Sequence, residues 1–532
     1  MKNPEIFVVM VLYMCIVVGI GVYFYKKAQK SPENYFLGGR SLGPWVAAMS
    51  AEASDMSGWL LMGLPGVAYW CGLADAVWTA IGLAIGTYVN WLLVAKRLRN
   101  YSQIAGNSIT LPDFFSNRFK EKKKILLGIS ALFILIFFTV YASSCFVTVG
   151  KLFSTLFGFD YHLTLIIGAL FVVAYTLIGG FLAESVSDFM QAIVMILALV
   201  AMIIVGVVNA GGFGAVIENA KNIEGFLSLN ALANPVVGES GAQISEGGAA
   251  LFGTAKDYGF LSIVSTLAWG LGYFGVPQVL LRFMAIRKSS EIKRSRIIAT
   301  VWCVISLAAA VLIGIIGRTL LPTSESLDTA SKAESIIIVM ATSYLPLIVA
   351  GLIMAGILAA TISSSDSYLL IASSSVSVNI YKGIVKKEKA TEKEVMWLSR
   401  IVLVVIAIIG VIIAWKEDSV IFTLVSFAWA GFGATFGPIM LFSLFWKRTT
   451  RAGAIAGMVS GAVTVFVWKL VFKQFLAASI PFFGIYELLP AFIISSIAIV
   501  VASLLTKKPD ADVLAEFEKA KKGEMVDVAK QI

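Results

Sequence analysis

The chain has 532 residues, of which 58% are hydrophobic and 14% are charged, and its formal net charge is +10. Soluble domains average about 25% charged residues, so this composition excludes an ordinary soluble protein and predicts a polytopic membrane protein. The Lys and Arg residues are distributed over several loops instead of one face, which favours contact with anionic membrane lipids over nucleic-acid binding.

Apolar stretches long enough to cross about 30 Å of hydrocarbon predict about thirteen membrane-spanning helices. In chain order they are Ile6–Tyr25, Gly43–Val67, Leu73–Ala95, Ile125–Gly150, Leu163–Leu182, Asp188–Asn209, Gly259–Met284, Ile297–Gly317, Leu345–Ser374, Ile401–Trp415, Val420–Phe445, Gly453–Phe472 and Pro490–Leu505.

Basic residues indicate the orientation, because cytoplasmic loops carry an excess of Lys and Arg. Such residues follow the first, third, seventh, ninth and eleventh spans, whereas the long loop 211–257 has only Lys221 and Lys256. We therefore predict an external amino terminus, a cytoplasmic tail over residues 507–532 and a location in the bacterial inner (plasma) membrane.

The second span is interrupted by Ser54, Asp55 and Ser57, and an ionisable residue at bilayer depth is a candidate functional residue. The ninth span carries a denser polar run, from Thr361 to Ser367. Two such polar interruptions suggest that the protein binds a cation stripped of its water shell.

Five spans after the first break, the segment Trp269–Pro277 contains three glycines and a proline, which loosen a helix. Equivalent breaks in two halves predict inverted repeats of five helices each. The predicted divisions are a first helix with its loop (1–42), a first repeat (43–210), an external loop (211–257), a second repeat (258–446), two further helices (447–506) and the tail (507–532).

Several motifs of the chain resemble the sodium/solute symporter family, most closely its bacterial members that take up proline. The resemblance extends from about Ile6 to about Leu505 and implies an all-α, thirteen-helix leucine-transporter-type fold, sodium coupling and proline as the small-molecule substrate. The motifs that carry it are Gly38–Pro44, Ala53–Leu60, Leu111–Phe115, Gly179–Ala183 and Arg282–Ala285.

The resemblance also implies a sodium (Na+) site, in which Asp55 supplies negative charge and Ser57 lies where ion and substrate meet. Sodium prefers hard oxygen ligands, and an unwound helix frees backbone carbonyls to provide them. The alternative is that the serines only bond to their own helix or tighten helix packing. The implied ligands are the carbonyls of Ala53, Met56 and Ala360 and the hydroxyls of Ser363 and Ser364.

A second cation site is implied around Asp188, with Ser363, Asp366 and Ser367 as its partners. The extra carboxylate of Asp366 could strengthen a sodium site or bind a proton. The alternative is that Asp188 caps the amino terminus of the sixth span.

For the substrate, the resemblance implies an apolar wall of Tyr141, Trp269, Tyr273 and Pro277, with Trp59 nearby. Trp269 and Tyr273 lie one helical turn apart and share a face. The chain has Val276 and Gln278 where proline transporters usually have Gln and His, so pantothenate or a sugar stays an alternative substrate. A channel or a sensor is the competing class of function.

An enzyme is not predicted. The single histidine, His162, lies beside Asp160 in a predicted outer loop, distant from the serine-rich span. Neither a His-Glu-x-x-His zinc motif nor a phosphate-binding glycine loop is present.

Overall fold

The computed structural model describes residues 3–28, 31–387 and 389–523, and it is a helical bundle. Within those ranges, eleven helices are long and apolar enough to cross a membrane, or twelve if the bent pair Phe260–Phe274 and Pro277–Ala285 is one span. The prediction of a multi-pass membrane protein is therefore confirmed.

The α-helices are numbered in chain order. They are α1 Pro4–Ala28, α2 Pro32–Leu37, α3 Pro44–Asp55, α4 Leu64–Cys71, α5 Leu73–Ile104, α6 Leu111–Arg118, α7 Ile125–Phe157, α8 Tyr161–Asn209, α9 Phe213–Lys221, α10 Phe260–Leu267, α11 Pro277–Ala285, α12 Ile292–Leu320, α13 Ala330–Ala333, α14 Ile336–Tyr344, α15 Leu347–Ser374, α16 Glu392–Ile413, α17 Ile421–Phe445, α18 Arg451–Val467, α19 Lys473–Phe475, α20 Leu488–Leu505 and α21 Ala511–Lys522.

The predicted count of thirteen spans is too high by this measure because the second predicted span is broken. Helix α3 begins with Pro44 in its first turn and ends at Asp55, after which Met56 has non-helical dihedral angles (φ −87°, ψ 75°). A π-helical turn over Trp59–Gly63 then leads into α4. Neither half is long enough to cross a bilayer by itself.

The other predicted break is also present. Helix α10 passes into a 3₁₀ segment, Ala268–Phe274, before Pro277 begins α11, and the two halves are bent by 41°. A Cβ atom on Gly272 would lie 2.0 Å from Trp429 Nε1, so only glycine permits this approach of α17. Both predicted breaks thus separate short helices at the centre of the bundle.

The fifth and sixth predicted spans follow each other directly in α8 and are divided at Gly180 (φ 62°, ψ 178°), so that Tyr161–Ile178 and Gly180–Asn209 count as separate spans. This division lies earlier than the predicted loop between Leu182 and Asp188. Asp188 is therefore inside a helix, fully buried, and the alternative that it caps a helix start is wrong.

The central helix is α15, which packs against α1, α3, α7 and α8. The loop between α9 and α10 contains β1 Ala231–Pro235, β2 Ser245–Glu246, β3 Ala249–Ala250 and β4 Phe252–Asp257. Strand β1 pairs antiparallel with β4, with Ala231 opposite Asp257, and β2 pairs antiparallel with β3.

The carboxyl-terminal helix α21 is amphipathic and lies against α5, burying Val513 and Phe517. Lys120 Nζ lies 2.9 Å from Glu516 at this contact. Hydrogen bonding to Glu516 raises the pKa of the Lys120 amine above its ordinary value.

Candidate functional site

The end of α3 places a free carbonyl against α15. Ser57 N–H donates to the Asp55 carbonyl (3.1 Å) instead of reaching the carbonyl of Ala53, because the helix has stopped. The Ala53 carbonyl accepts hydrogen bonds from Ser363 Oγ (2.8 Å) and Ser364 Oγ (3.2 Å), and Ser363 Oγ also lies 3.1 Å from the Ala360 carbonyl. Four of the five predicted sodium ligands are thus brought together.

The fifth predicted ligand, Met56, lies at the break itself. Its sulfur accepts from Ser306 Oγ (3.5 Å), and no hydrogen bond within the described ranges joins its carbonyl to the other four groups. The assembled oxygens are buried, uncharged and hard, which is the ligand chemistry that sodium takes.

Asp55 has a different set of partners. Its Oδ2 accepts from the Tyr273 hydroxyl (2.7 Å) and its Oδ1 accepts from Gln278 Nε2 (3.4 Å), both in the second broken span. The side chain is fully buried, and among the described residues no Lys or Arg nitrogen lies within 4.0 Å of it. Keeping such a buried carboxyl ionised is costly unless a cation lies nearby; otherwise it takes up a proton.

An aromatic layer adjoins Asp55. The Trp59 and Trp269 ring centroids are 6.2 Å apart, and Trp269 packs against Tyr486 at 5.1 Å and Phe422 at 5.2 Å. Trp429 Nε1 donates to the Trp269 carbonyl (2.8 Å), which holds the 3₁₀ segment against α17. The predicted pair of Trp59 and Trp269 is therefore part of a larger layer of aromatic side chains.

The other predicted substrate residues are more dispersed. Tyr141 packs on Tyr368 (4.3 Å between centroids) and its hydroxyl donates to the Asp55 carbonyl (3.4 Å). Pro277 is buried at the start of α11. The Ser57 hydroxyl is buried and has no hydrogen-bond partner in the part of the chain described.

A second polar cluster surrounds Arg282 in α11, which is fully buried. Its Nη2 donates to Glu184, to Ser367 Oγ (2.9 Å) and to Asp188 Oδ2 (3.1 Å). Its Nε donates to Ser50 Oγ (3.0 Å), and that hydroxyl donates to Asp188 Oδ2 (2.7 Å). One guanidinium thus joins α3, α8, α11 and α15.

The predicted second cation site lies in this cluster. Asp366 Oδ1 accepts from Ser367 N–H (2.8 Å), while Asp366 Oδ2 and Asp188 Oδ1 are buried without partners among the described residues. Asp188 and Ser367 lie close together as predicted, but the positive group between them is the guanidinium of Arg282. A second ion there would share their oxygens with Arg282.

Several residues of these clusters were not predicted from the sequence. Arg282 belongs to a motif already singled out, and a buried arginine in an apolar helix is expected to pair with carboxylates. Glu184 precedes Asp188 by one helical turn and could have been found in that way. Phe422, Trp429 and Tyr486 are distant in sequence, and no local pattern distinguishes them from packing aromatics.

Comparison with known proteins supports these observations. Residues 35–461 match the sequence profile of the Sodium:solute symporter family. The chain is 42% identical over 521 residues to the Sodium/proline symporter of Staphylococcus aureus strain USA300, covering 98% of this chain and 96% of that relative.

Solved structures show the same fold at low sequence identity. A Na+-coupled sialic acid symporter in a substrate-bound outward-open state matches with a TM-score of 0.71 and 20% identity, covering 95% of this chain and 99% of the other. A nucleobase-cation-symport-1 family transporter in a closed conformation matches with a TM-score of 0.52 and 14% identity, covering 92% and 100%.

Proposed function

This chain belongs to the sodium:solute symporter family, and we propose that the solute it takes up with sodium is L-proline. Its relatives at 42% identity carry the name Sodium/proline symporter. The observation that supports the proposal most directly is Asp55, a buried carboxylate with neutral partners. Along the chain it lies two residues after Ala53, which contacts the serines, and four before Trp59 of the aromatic layer. The arrangement suits a small cation on one side and an apolar ring on the other.

The sodium site that we propose comprises the carbonyls of Ala53, Met56 and Ala360 and the hydroxyls of Ser363 and Ser364. A bound ion would draw the end of α3 towards α15, because Ala53 belongs to α3 and both serines belong to α15. Asp55 lies two residues after Ala53 and contacts Tyr273. Ion binding at one end of the break therefore orders the residues that face the substrate at the other.

The transport cycle that we propose is alternating access. Sodium enters from outside and stabilises the outward-open arrangement, and this raises the affinity for proline by a coupling free energy that must be reciprocal. Each positive charge that crosses 100 mV contributes about 2.3 kcal/mol in addition to the concentration gradient. The fold is of the leucine-transporter type, in which broken helices bind ions and substrate near the middle of the membrane.

In the proposed topology the protein lies in the bacterial inner membrane, with its amino terminus outside and α21 in the cytoplasm. The basic loops support this orientation. The two repeats, 43–210 and 258–446, then have opposite orientations, and each begins with one of the broken spans.

Uptake into proteoliposomes tests the function. Purified protein should accumulate labelled L-proline above the external concentration under an inward sodium gradient, and only equilibrate it when potassium replaces sodium. Lithium and proton gradients are compared in the same vesicles. If the vesicles accumulate pantothenate or a sugar but not proline, that solute is the substrate instead of proline. If proline equilibrates but never accumulates, the protein is a channel.

Ion and substrate residues should be separable by substitution. Ser363→Ala and Ser364→Ala each remove an oxygen from the proposed ion shell, so the apparent sodium affinity should fall about tenfold, with proline affinity weakened only through coupling. Trp269→Ala should mainly weaken proline affinity, because it removes a wall of the aromatic layer. The measurement is proline uptake as a function of sodium at fixed proline, and of proline at fixed sodium.

Ser365→Ala is the matched control for this pair. Its hydroxyl donates to the Thr361 carbonyl (2.7 Å) within the same helix and does not reach Ala53. It should keep both affinities near the wild-type values. If all four variants lose both affinities equally, the assigned roles are wrong and the changes act on folding.

A further inference from the structure

A cavity of about 640 Å³ lies on the side of the protein that carries β1 and β4. Trp269, Phe422 and Tyr486, three members of the aromatic layer, are part of its lining. The cavity therefore adjoins the layer that packs against Trp59, and it is separate from the Arg282 cluster. Its volume is in the range of about 300–1,000 Å³ that small-molecule sites occupy.

One part of the lining is acidic. Asp75, at the start of α5, accepts a hydrogen bond from the Tyr258 hydroxyl (3.0 Å). Burial, with the charge of Asp75 as a second cause, raises the pKa of Tyr258 far above its ordinary value, so this phenol stays a donor. Among the described residues, no Lys or Arg nitrogen lies within 4.0 Å of Asp75, so its carboxyl has no direct ion-pair partner there.

Another part of the lining is basic. Lys469 and Lys473 both line the cavity, and each ammonium lies 3.8 Å from a different oxygen of Glu487, which is fully buried. The two ammonium groups therefore share the single negative charge of Glu487, and neither is close enough to form a hydrogen bond with it. The lysine side chains are 24% and 36% exposed, so a ligand in the cavity can reach them.

From these charges we infer that the cavity is an outer binding site for a zwitterionic α-amino acid, in which the substrate is held before it passes the aromatic layer. The carboxylate of the amino acid would contact Lys469 and Lys473, and its ammonium group would contact Asp75. An uncharged sugar would use neither charge, and a monocarboxylate would use only the lysines. The inference rests on the proposed function to the extent that the transported solute is an amino acid.

Capture at this site has a defined kinetic signature. Charged groups in a cleft raise the local concentration of a complementary ligand, whereas the later steps depend on the broken helices. The double variant Lys469→Gln/Lys473→Gln should therefore raise the KM for labelled L-proline about tenfold, the effect of losing one charge-assisted hydrogen bond. Its kcat should stay within about twofold of wild type, and the sodium dependence should be unchanged.

Lys256→Gln is the matched control, because Lys256 is an exposed lysine of β4 on the same side of the protein but outside the lining. It should leave KM unchanged. Asp75→Asn should raise KM in the same direction as the double lysine variant, and Lys469→Arg/Lys473→Arg should restore most of the affinity. Because arginine can also pair with Glu487, the rescue shows only that positive charge is needed, and the effect of Asp75→Asn distinguishes ligand binding from support of the fold through Glu487.

The test is uptake into proteoliposomes, with size-exclusion chromatography to confirm that each variant is folded. A folded double variant with wild-type KM would overturn the outer site and leave proline uptake intact. A failure of the wild-type protein to accumulate proline or any other amino acid would overturn the proposed function and the outer site together. If the double glutamine variant is unfolded, Asp75→Asn decides the result, and an unchanged KM in that variant also overturns the outer site.

Discussion

Replacing Asp55 by Asn is expected to nearly abolish sodium-driven uptake while leaving the protein inserted in the membrane. The amide is nearly isosteric and still offers an oxygen to the Tyr273 hydroxyl, which is 2.7 Å from the carboxylate. The charge is lost, and the amide nitrogen replaces the oxygen that accepts from Gln278 Nε2 at 3.4 Å. Because that charge lies in a low-dielectric region without a basic partner, its removal should lower the apparent sodium affinity by on the order of a hundredfold, or about 2.8 kcal/mol.

Stability provides an independent measurement of the Asp55 variant. Sodium should raise the thermal unfolding temperature of the wild-type protein in detergent, because a ligand that binds only the folded state stabilises it. Asp55→Asn should not respond to sodium, and without sodium it should be at least as stable as wild type, since a neutral amide costs less to bury than a carboxylate. Asp55→Glu should keep part of the response at higher sodium.

Glu52→Gln is the matched control for Asp55→Asn. Glu52 lies one turn earlier on α3 and is also buried, but its carboxyl accepts from Trp91 Nε1 (3.4 Å) instead of a residue of the broken spans. It should preserve sodium-dependent uptake. Wild-type sodium dependence in Asp55→Asn, or an equal loss in both variants, would remove Asp55 from the proposed mechanism.

The second large effect is expected at Arg282. Arg282→Gln would leave Glu184 and Asp188 buried without their cation, and breaking a buried ion pair by removing one partner costs about 3–5 kcal/mol. Thermal unfolding in detergent without sodium should therefore show a large loss of stability. The double variant Arg282→Gln/Asp188→Asn should recover part of it, because one of the unpaired charges is removed.

Sodium distinguishes a structural arginine from one that competes with an ion. If a second sodium can bind at Asp188, Asp366 and Ser367, high sodium should restore more stability to Arg282→Gln than it adds to wild type, because the guanidinium no longer occupies those oxygens. An equal sodium effect in both proteins would argue against a second ion at this cluster and leave Arg282 with a purely structural role.

Arg287→Gln is the control for Arg282→Gln. Arg287 pairs with Glu291 at 2.8 Å, four residues along the chain, and its side chain is 53% exposed. Exposed pairs of this kind are screened by solvent and contribute little to stability, so the loss of stability should be small. If Arg287→Gln lost as much thermal stability as Arg282→Gln, burial of the Arg282 cluster would not be the cause of the large loss.

Some features of this protein follow from the local sequence alone. The composition determined a multi-pass membrane protein, since apolar stretches of this length cannot remain soluble. The breaks at Asp55 and at Trp269–Pro277 were also predictable, because polar residues, glycines and a proline interrupt an apolar helix for local reasons. The family resemblance predicted the serines that contact Ala53, and in the structure Ser363 Oγ lies 2.8 Å from the Ala53 carbonyl oxygen.

Other features were decided by the tertiary structure. Which charges meet depends on helices that are far apart in the chain: Arg282 contacts Glu184, Asp188 and Ser367 because α8, α11 and α15 converge. The same holds for the aromatic layer, in which Tyr486 follows Trp269 by more than two hundred residues yet stacks on it at 5.1 Å. Local sequence determines where a helix forms and where it stops, whereas the partner of a buried polar or aromatic group is selected by packing, which no local pattern encodes.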